Sequence, residues 1–361
     1  MTDTEAMVRA VALAYRGWGR TAPNPMVGAV LLRDGEVIGE GWHADFGGPH
    51  AEVAALAAAG DARGATCVVT LEPCAHHGKT PPCVDALLEA GVSRVVVAVR
   101  DPHPVARGGV ERLRAAGVDV SVGIGREEAA TLNAPFLWGT VRPARPFVAV
   151  KVATSLDGFI ADAAGRSRWI SGPDARAYVH WLRAGYDAIG VGRRTAEHDD
   201  PELTVRGEVV PRRTPTRVIF AATGPIEPRL TVVRTARSVP TVVVAPTERA
   251  SAYERELAPC GVRTIAADDF DASLRALRAE GIESLLIEGG GTLVGHLLDA
   301  DLVDRLYWIQ APLRLGRGVA AFGASRAVQL GEAPRWTIVE RRALGDDTLL
   351  VADRELCLPE L

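Results

Sequence analysis

Three short segments constrain this chain more than any others: His50-Ala51-Glu52, Glu72-Pro73-Cys74 and, nine residues beyond Cys74, Cys83. His50 stands at the start of an alanine-rich stretch that reads as a helix to Ala59, with Gly60 suited to its C-terminal cap. Glu72-Pro73-Cys74 follows the apolar strand 66–71, and Cys83 opens a helix over 83–90 that Gly91 ends. A chain that uses these residues together must bring two helix starts and one strand end to one point. One His and two Cys are three soft or borderline ligands, enough for zinc with a fourth position open to water. Helix N-termini favour thiolate over thiol, which helps such cysteines bind metal.

Glu52 lies two residues from His50, so it need not share the ligand direction and can face the water position and move protons. Zinc that activates water beside a carboxylate acid/base is how nucleobase deaminases replace an exocyclic amine. A structural zinc site would instead require a fourth side chain, His76 or His77, and leave Glu52 unused. In CAHHGKTPPC, Gly78-Lys79-Thr80 is not a Walker A loop, because Pro73 stands where its first glycine is required. Lys79 reads either as a cation held over the site for an anionic substrate group or as a solvated surface lysine. The remaining cysteines, 67, 260 and 357, read as small buried hydrophobes and not as a disulfide framework.

Residues 5–135 alternate helical and strand patterns. Ala6, Ala10, Leu13 and Ala14 share one helical face, and Val27–Leu32 and Val37–Gly41 flank the hairpin signal Asp34-Gly35. Strand 94–99, helix 109–116 and the strand-like VDVSVG complete an α/β sandwich whose βα units predict parallel strands. The stretch 139–146, GTVRPARP, has no helical period, and PFVAVKVA then opens a second α/β pattern. Its strands are DAIGVG, TRVIF, TVVVA, SLLI, LVDRLYWIQ and a closing pair, 335–343 and 347–353. The boundary is placed near 145, giving domains 1–145 and 146–361.

With 361 residues, each half can bury its own core. A net charge of −4 excludes holding nucleic acid by bulk positive charge. No apolar run approaches the roughly 18–20 residues of a membrane span. The acidic, amphipathic N-terminus lacks a secretory pattern, so a cytoplasmic address is expected. A small-molecule substrate and a homo-oligomer are expected, without nucleic-acid or membrane partners.

In the second half, Ser284–Ile287 reads as a buried strand feeding Glu288-Gly289-Gly290-Gly291-Thr292, with a helix over about 293–299. Free backbone N–H groups at a helix start make an anion site, and three glycines let a pyrophosphate approach closely. The same pattern also suits a tight turn with no ligand, since GGGTLVG is not GxGxxG.

PNPMVGAV, GWH, PHAE, TLEPCAHHGKTPPC and DPHP together resemble the deaminase domain of the bifunctional riboflavin-biosynthesis deaminase–reductase family. KVATSLDGFIA (151–161), SRWISG (167–172) and RTAEHDDPELTVR (194–206) resemble its reductase domain. The resemblance implies a cytidine-deaminase-like three-layer α/β/α domain, then a dihydrofolate-reductase-like α/β domain. It implies zinc on His50, Cys74 and Cys83, Glu52 as proton shuttle, Asn24 orienting the pyrimidine, and His43, His76 and Lys79 around the sugar phosphate. For NADPH it implies Thr154, Thr195, Asp199 and the run Gly290, Gly291, Thr292, Leu293, Val294, Gly295 and His296. For the reductase substrate it implies Lys151, Ser167, Trp169, Arg183, Leu203, Arg206 and Glu288. Arg183 and Arg206 can clamp a 5′-phosphate in bidentate fashion. Lys151, Asp199 and Glu288 are the ionisable groups available to the reacting C1′. The implied reactions are hydrolytic deamination of 2,5-diamino-6-ribosylamino-4(3H)-pyrimidinone 5′-phosphate, then reduction of its ribosyl group to ribityl. The alternatives are a deaminase of another base fused to a pterin-type reductase, and a non-catalytic zinc- and nucleotide-binding module.

Overall fold

The computed structural model describes residues 1–78, 81–323 and 326–359. Lys79 therefore lies outside the described residues. The chain divides into one unit of Met1–Arg142 with the terminal segment from Leu356, and another of Pro143–Glu355.

In the first unit, α1 (Asp3–Ala14) starts at a capping box made by Thr2 and Glu5. It is followed by β1 (Gly28–Arg33), β2 (Glu36–Trp42), α2 (Ala51–Ala59), β3 (Thr66–Leu71), α3 (Cys83–Glu89) and β4 (Arg94–Val99). Then come α4 (Gly109–Ala115), β5 (Asp119–Val122), α5 (Arg126–Leu132) and α6 (Ala134–Val141). The sheet order is β2-β1-β3-β4-β5, with β1 antiparallel to both neighbours and β3, β4 and β5 parallel. Strand alternation sends Leu31, Cys67, Val69, Val95 and Val97 to one face, against Ala51 and Ala55 of α2, Leu87 of α3 and Leu113 of α4. Helices α1 and α5 cover the other face, so the unit has the three expected layers. Helix α6 runs to Val141 and takes the first three residues of the stretch read as non-helical. It is apolar nearly all round, so it shows no one-sided period. The terminal segment is held here by Arg126, whose guanidinium donates to the carbonyls of Leu358, at 3.1 Å, and Pro359.

The second unit begins with β6 (Phe147–Thr154), β7 (Phe159–Asp162), α7 (Pro173–Ala184), β8 (Ala188–Gly192), α8 (Arg193–Asp199), β9 (Thr216–Phe220), α9 (Thr231–Arg234) and β10 (Thr241–Ala245). It continues with α10 (Thr247–Leu257), β11 (Arg263–Ala266), α11 (Phe270–Ala279), β12 (Ser284–Ile287) and α12 (Gly291–Asp299). It closes with β13 (Arg305–Gln310), β14 (Gly318–Ala320), β15 (Thr337–Leu344) and β16 (Asp347–Asp353). The sheet order is β11-β10-β9-β8-β12-β6-β13-β16-β15. It is parallel from β11 to β13 and antiparallel from there on.

Both faces of this sheet are covered. Val218 and Val242 pack with α11 and α12 on one side, while Ile219 and Val243 pack with α8, α9 and α10 on the other. This is the layered α/β arrangement expected of a dihydrofolate-reductase-like domain. The sequence reading missed β11 and the ribbon of β7 with β14, whose strands lie far apart in the chain. Helix α12 begins at Gly291, two residues before the expected start. Among the described residues no helix is long and apolar enough to cross a membrane.

Candidate active sites

In the first unit His50 is the N-cap of α2, Cys83 is the first residue of α3, and Cys74 follows β3. His50 Nδ1 lies 3.1 Å from Cys83 Sγ and 3.6 Å from Cys74 Sγ. The Cys83 backbone N–H donates to Cys74 Sγ at 3.3 Å. One ligand atom from each residue falls within 4.8 Å of the others. The facing Cys83 thiol, with help from His50 and against the cost of burial, lowers the Cys74 thiol. Cys83, facing the Cys74 sulfur and buried, is pushed up. The donor set of one imidazole and two sulfurs would suit a zinc cation. Neither His76 nor His77 joins this group among the described residues, so the fourth-ligand reading finds no side chain.

Glu52 is buried beside the cluster, and burial pushes its carboxyl up. His43 is also buried, and burial pushes its imidazole down. His43 Nδ1–H donates to the Pro49 carbonyl at 3.0 Å, which leaves Nε2 to accept from the Asn24 amide at 3.3 Å. With both ring nitrogens engaged, His43 supports Asn24 and holds its amide orientation. The His43 and His50 rings meet edge to face, 5.5 Å apart. His76 is half-buried, and its Nδ1 has no hydrogen-bond partner among the described residues.

Sequence reasoning passed over Glu72 as part of a motif. Its buried carboxylate accepts from the backbone N–H of Asp101 at 3.1 Å and of Gly108 and Val110 at 3.0 Å each. A Cβ on Gly109 would stand 1.9 Å from the Pro73 carbonyl oxygen. Loop 101–110 thus locks onto residues 72–73 and fixes the approach of Cys74.

The second unit carries a solvent-open cavity of about 1150 Å³. Lys151, Ser167, Trp169, Arg183, Leu203, Arg206 and Glu288 line it, as do Thr195, Asp199, Gly290, Gly291, Thr292, Leu293, Val294 and His296. Thr154 and Gly295 do not: Thr154 is fully buried, and its Oγ1 accepts from Trp308 Nε1 at 2.8 Å. Trp169 is 70% exposed at the rim, with the Arg176 guanidinium 4.7 Å from its ring centroid. Gly289 and Gly290 make the turn before α12 with φ of +107° and +84°. The third glycine serves packing: a Cβ on Gly291 would lie 2.3 Å from Ala320 O.

Glu288, at the end of β12, is the electrostatic centre of this cavity. Arg183 closes its fork on the carboxylate through Nε and Nη2, the latter at 2.9 Å, and Lys151 Nζ stands 3.4 Å away. Burial pushes the Glu288 carboxyl up, but the two cations outweigh it and hold it down at about 2. Arg183 Nη1 also donates to Thr204 O at 2.9 Å. The expected two-fork clamp is therefore altered, since Arg183 is already engaged and Arg206 pairs with Glu202.

The cytidine and deoxycytidylate deaminase zinc-binding region matches residues 1–99, and the RibD C-terminal domain matches residues 146–350. The chain is 42% identical to riboflavin biosynthesis protein RibD of Escherichia coli (strain K12), over 97% of this chain and 99% of that protein. It belongs to the RibD family. The RibD of Mycobacterium tuberculosis (strain CDC 1551 / Oshkosh) is 39% identical over 96% of each chain. The diaminohydroxyphosphoribosylaminopyrimidine deaminase/5-amino-6-(5-phosphoribosylamino)uracil reductase of Thermotoga maritima is a similar solved structure, with a TM-score of 0.83 and 37% identity over 97% of this chain and 98% of that one. Acinetobacter baumannii RibD, form 1, aligns with a TM-score of 0.81 at 38% identity over the same shares.

Proposed function

We propose that this chain performs two steps of riboflavin biosynthesis. The first unit deaminates 2,5-diamino-6-ribosylamino-4(3H)-pyrimidinone 5′-phosphate, and the second reduces the ribosyl group of the product to ribityl. The observation that carries the reading is the His50, Cys74 and Cys83 cluster with buried Glu52 beside it, on a chain whose other unit holds the cavity around Glu288.

His50, Cys74 and Cys83 would hold zinc, which when bound supplies Lewis acidity to water. Glu52, with its carboxyl raised by burial, is placed to hold and pass a proton. Asn24, oriented by His43, presents its amide to the pyrimidine. In the second unit NADPH supplies a hydride for C1′ of the opened ribose when bound. The Gly289-Gly290 turn and the start of α12 offer backbone N–H groups to its phosphates, with Thr195 and Asp199 alongside. Glu288, held ionised, orients Lys151 and Arg183 and does not donate a proton at neutral pH. That leaves the Lys151 ammonium as the donor to the reacting end of the substrate. Arg206 meets the phosphate by exchanging Glu202 for it. The reading places the protein in the cytoplasm, acting on a small phosphorylated metabolite rather than nucleic acid or membrane.

The deciding experiment supplies the diaminopyrimidine phosphate and NADPH and follows ammonia and absorbance at 340 nm separately. Both signals are expected, with ammonia first. Ammonia without NADPH consumption removes the reductase half, and zinc binding without ammonia leaves only a binding module.

A further inference from the structure

The turn that carries Arg206 into the second unit's cavity contains a residue in an uncommon conformation. Leu203 is 3% exposed and sits at φ +51°, the left-handed region that a residue with a Cβ disfavours. Such a conformation persists where its surroundings over-determine it. Both flanking peptide carbonyls end on buried guanidinium groups. Thr204 O accepts from Arg183 Nη1 at 2.9 Å, and Glu202 O accepts from Arg217 Nη1 at 3.3 Å. Upstream, the Asp200 carboxylate accepts from the Thr231 backbone N–H at 2.6 Å and from its hydroxyl at 2.9 Å. That contact fixes where the turn begins.

Arg217 is unexpected at its position. It is the second residue of β9, inside the sheet, 1% exposed, and it does not line the cavity. Its hydrogen-bond partners among the described residues are hydroxyl and carbonyl oxygens. They are Thr241 Oγ1 at 2.7 and 3.0 Å, Thr235 Oγ1 at 2.8 Å, Val239 O at 2.9 Å and Val232 O at 3.0 Å, besides Glu202 O. Burial lowers its guanidinium to about 10, against the pull of the Glu202 charge. A buried cation bonded only to neutral oxygens is costly, and an apolar side chain of similar volume would fill a strand position without that cost. An apolar side chain, however, cannot tie β10, α9 and the 202–206 turn together at their polar atoms.

The geometry points to Arg217 as a positioning residue for substrate recognition. By holding the Glu202 carbonyl it sets the Leu203 turn, and through it the direction in which Arg206 meets the anionic end of the reductase substrate. Arg217 itself touches neither substrate nor cofactor. This inference rests on the reading of Arg206 as a phosphate contact, and the test separates the two.

In the full chain, R217M, R217K and R206A are compared with the native protein by NADPH oxidation, using the deaminated ribosylamino compound with and without its 5′-phosphate. R217M is expected to raise KM for the phosphorylated compound about 5- to 30-fold, the range for one or two lost hydrogen bonds. Its kcat and its KM for NADPH stay within about threefold, and its KM for the dephosphorylated compound does not change. R217K, which keeps the charge and fewer donors, falls between R217M and native protein. Equal KM changes for both compounds, or an equal change for NADPH, overturn the proposal. If both Arg217 variants fail to accumulate as folded protein, the residue is a core element and the proposal is overturned as well. If R206A leaves KM for the phosphorylated compound unchanged, the phosphate reading of the turn fails first, and the inference falls with it.

Discussion

The two units solve the problem of buried charge in opposite ways. In the first, one imidazole and two cysteine sulfurs converge, a donor set that a metal cation would balance. In the second, Glu288 already has Arg183 and Lys151, so its charge is balanced by the chain itself. The difference teaches where each chemistry comes from. A self-neutralised carboxylate orients its partners, whereas a converging imidazole and two thiols suit a metal cation. It also separates what each variant should disturb.

The largest effect is expected from Cys83→Ser. The variant should lose its zinc and its deaminase activity together while the reductase assay is unchanged. Metal analysis that finds a full complement in this variant would break the contrast at its first term and return His76 or His77 to consideration.

Glu52→Gln should keep the metal, because the residue is not a ligand, yet slow ammonia release on the order of 10²–10⁴-fold. Reduction of pre-deaminated substrate should continue at the native rate. Near-native ammonia release would remove Glu52 from the reaction.

An acid titration tests the self-balanced cluster. The Glu288 carboxyl is held at about 2, below its ordinary 4.5. Its contribution to stability is therefore fully present above about pH 4.5 and is lost as pH falls toward 2. The size is on the order of 3 kcal/mol. Glu288→Gln should unfold more easily at pH 7 and lose less stability over that acid interval than native protein. Parallel stability curves for the two proteins would show that the cations do not protect this carboxylate.

The smallest effect is expected at the exposed end of the cavity. Arg206→Ala should raise KM for the phosphorylated reductase substrate roughly 10- to 150-fold, for about 1.5–3 kcal/mol of charge-assisted contact. Its kcat should change little, since phosphate binding is common to ground and transition states. A KM unchanged for both phosphorylated and dephosphorylated compounds would return residues 203–206 to an ordinary surface segment.

Much of this is legible in the sequence. Strands 66–71 and 94–99 were read to the residue, and the Asp34-Gly35 hairpin and the closing pair around Gly345-Asp346 follow from turn chemistry between alternating runs. The metal cluster was legible because each ligand marks the end of an element, where local sequence signals are strongest. Helix α6 was missed because an apolar surface all round carries no period. The ribbon of Phe159–Asp162 with Gly318–Ala320 was missed because its pairing spans more than half the second unit and neither strand is long enough to announce itself.

The sequence by itself determined which atoms this protein can bring to its chemistry: an imidazole and two thiols at element ends, a carboxylate two residues from the imidazole, and a glycine turn after a buried strand. Periodicity and turn residues act over a few neighbours, so they are readable in one dimension. Only the tertiary structure decided how the charges are satisfied. It closed Arg183 on Glu288 across 105 residues, took Thr154 out of the cavity and gave Gly291 to packing against Ala320. It also set Arg217, a residue with no motif around it, behind the turn that presents Arg206. Hydrogen-bond satisfaction in a buried space depends on every group that converges there, and that convergence exists only after the sheet has ordered its strands.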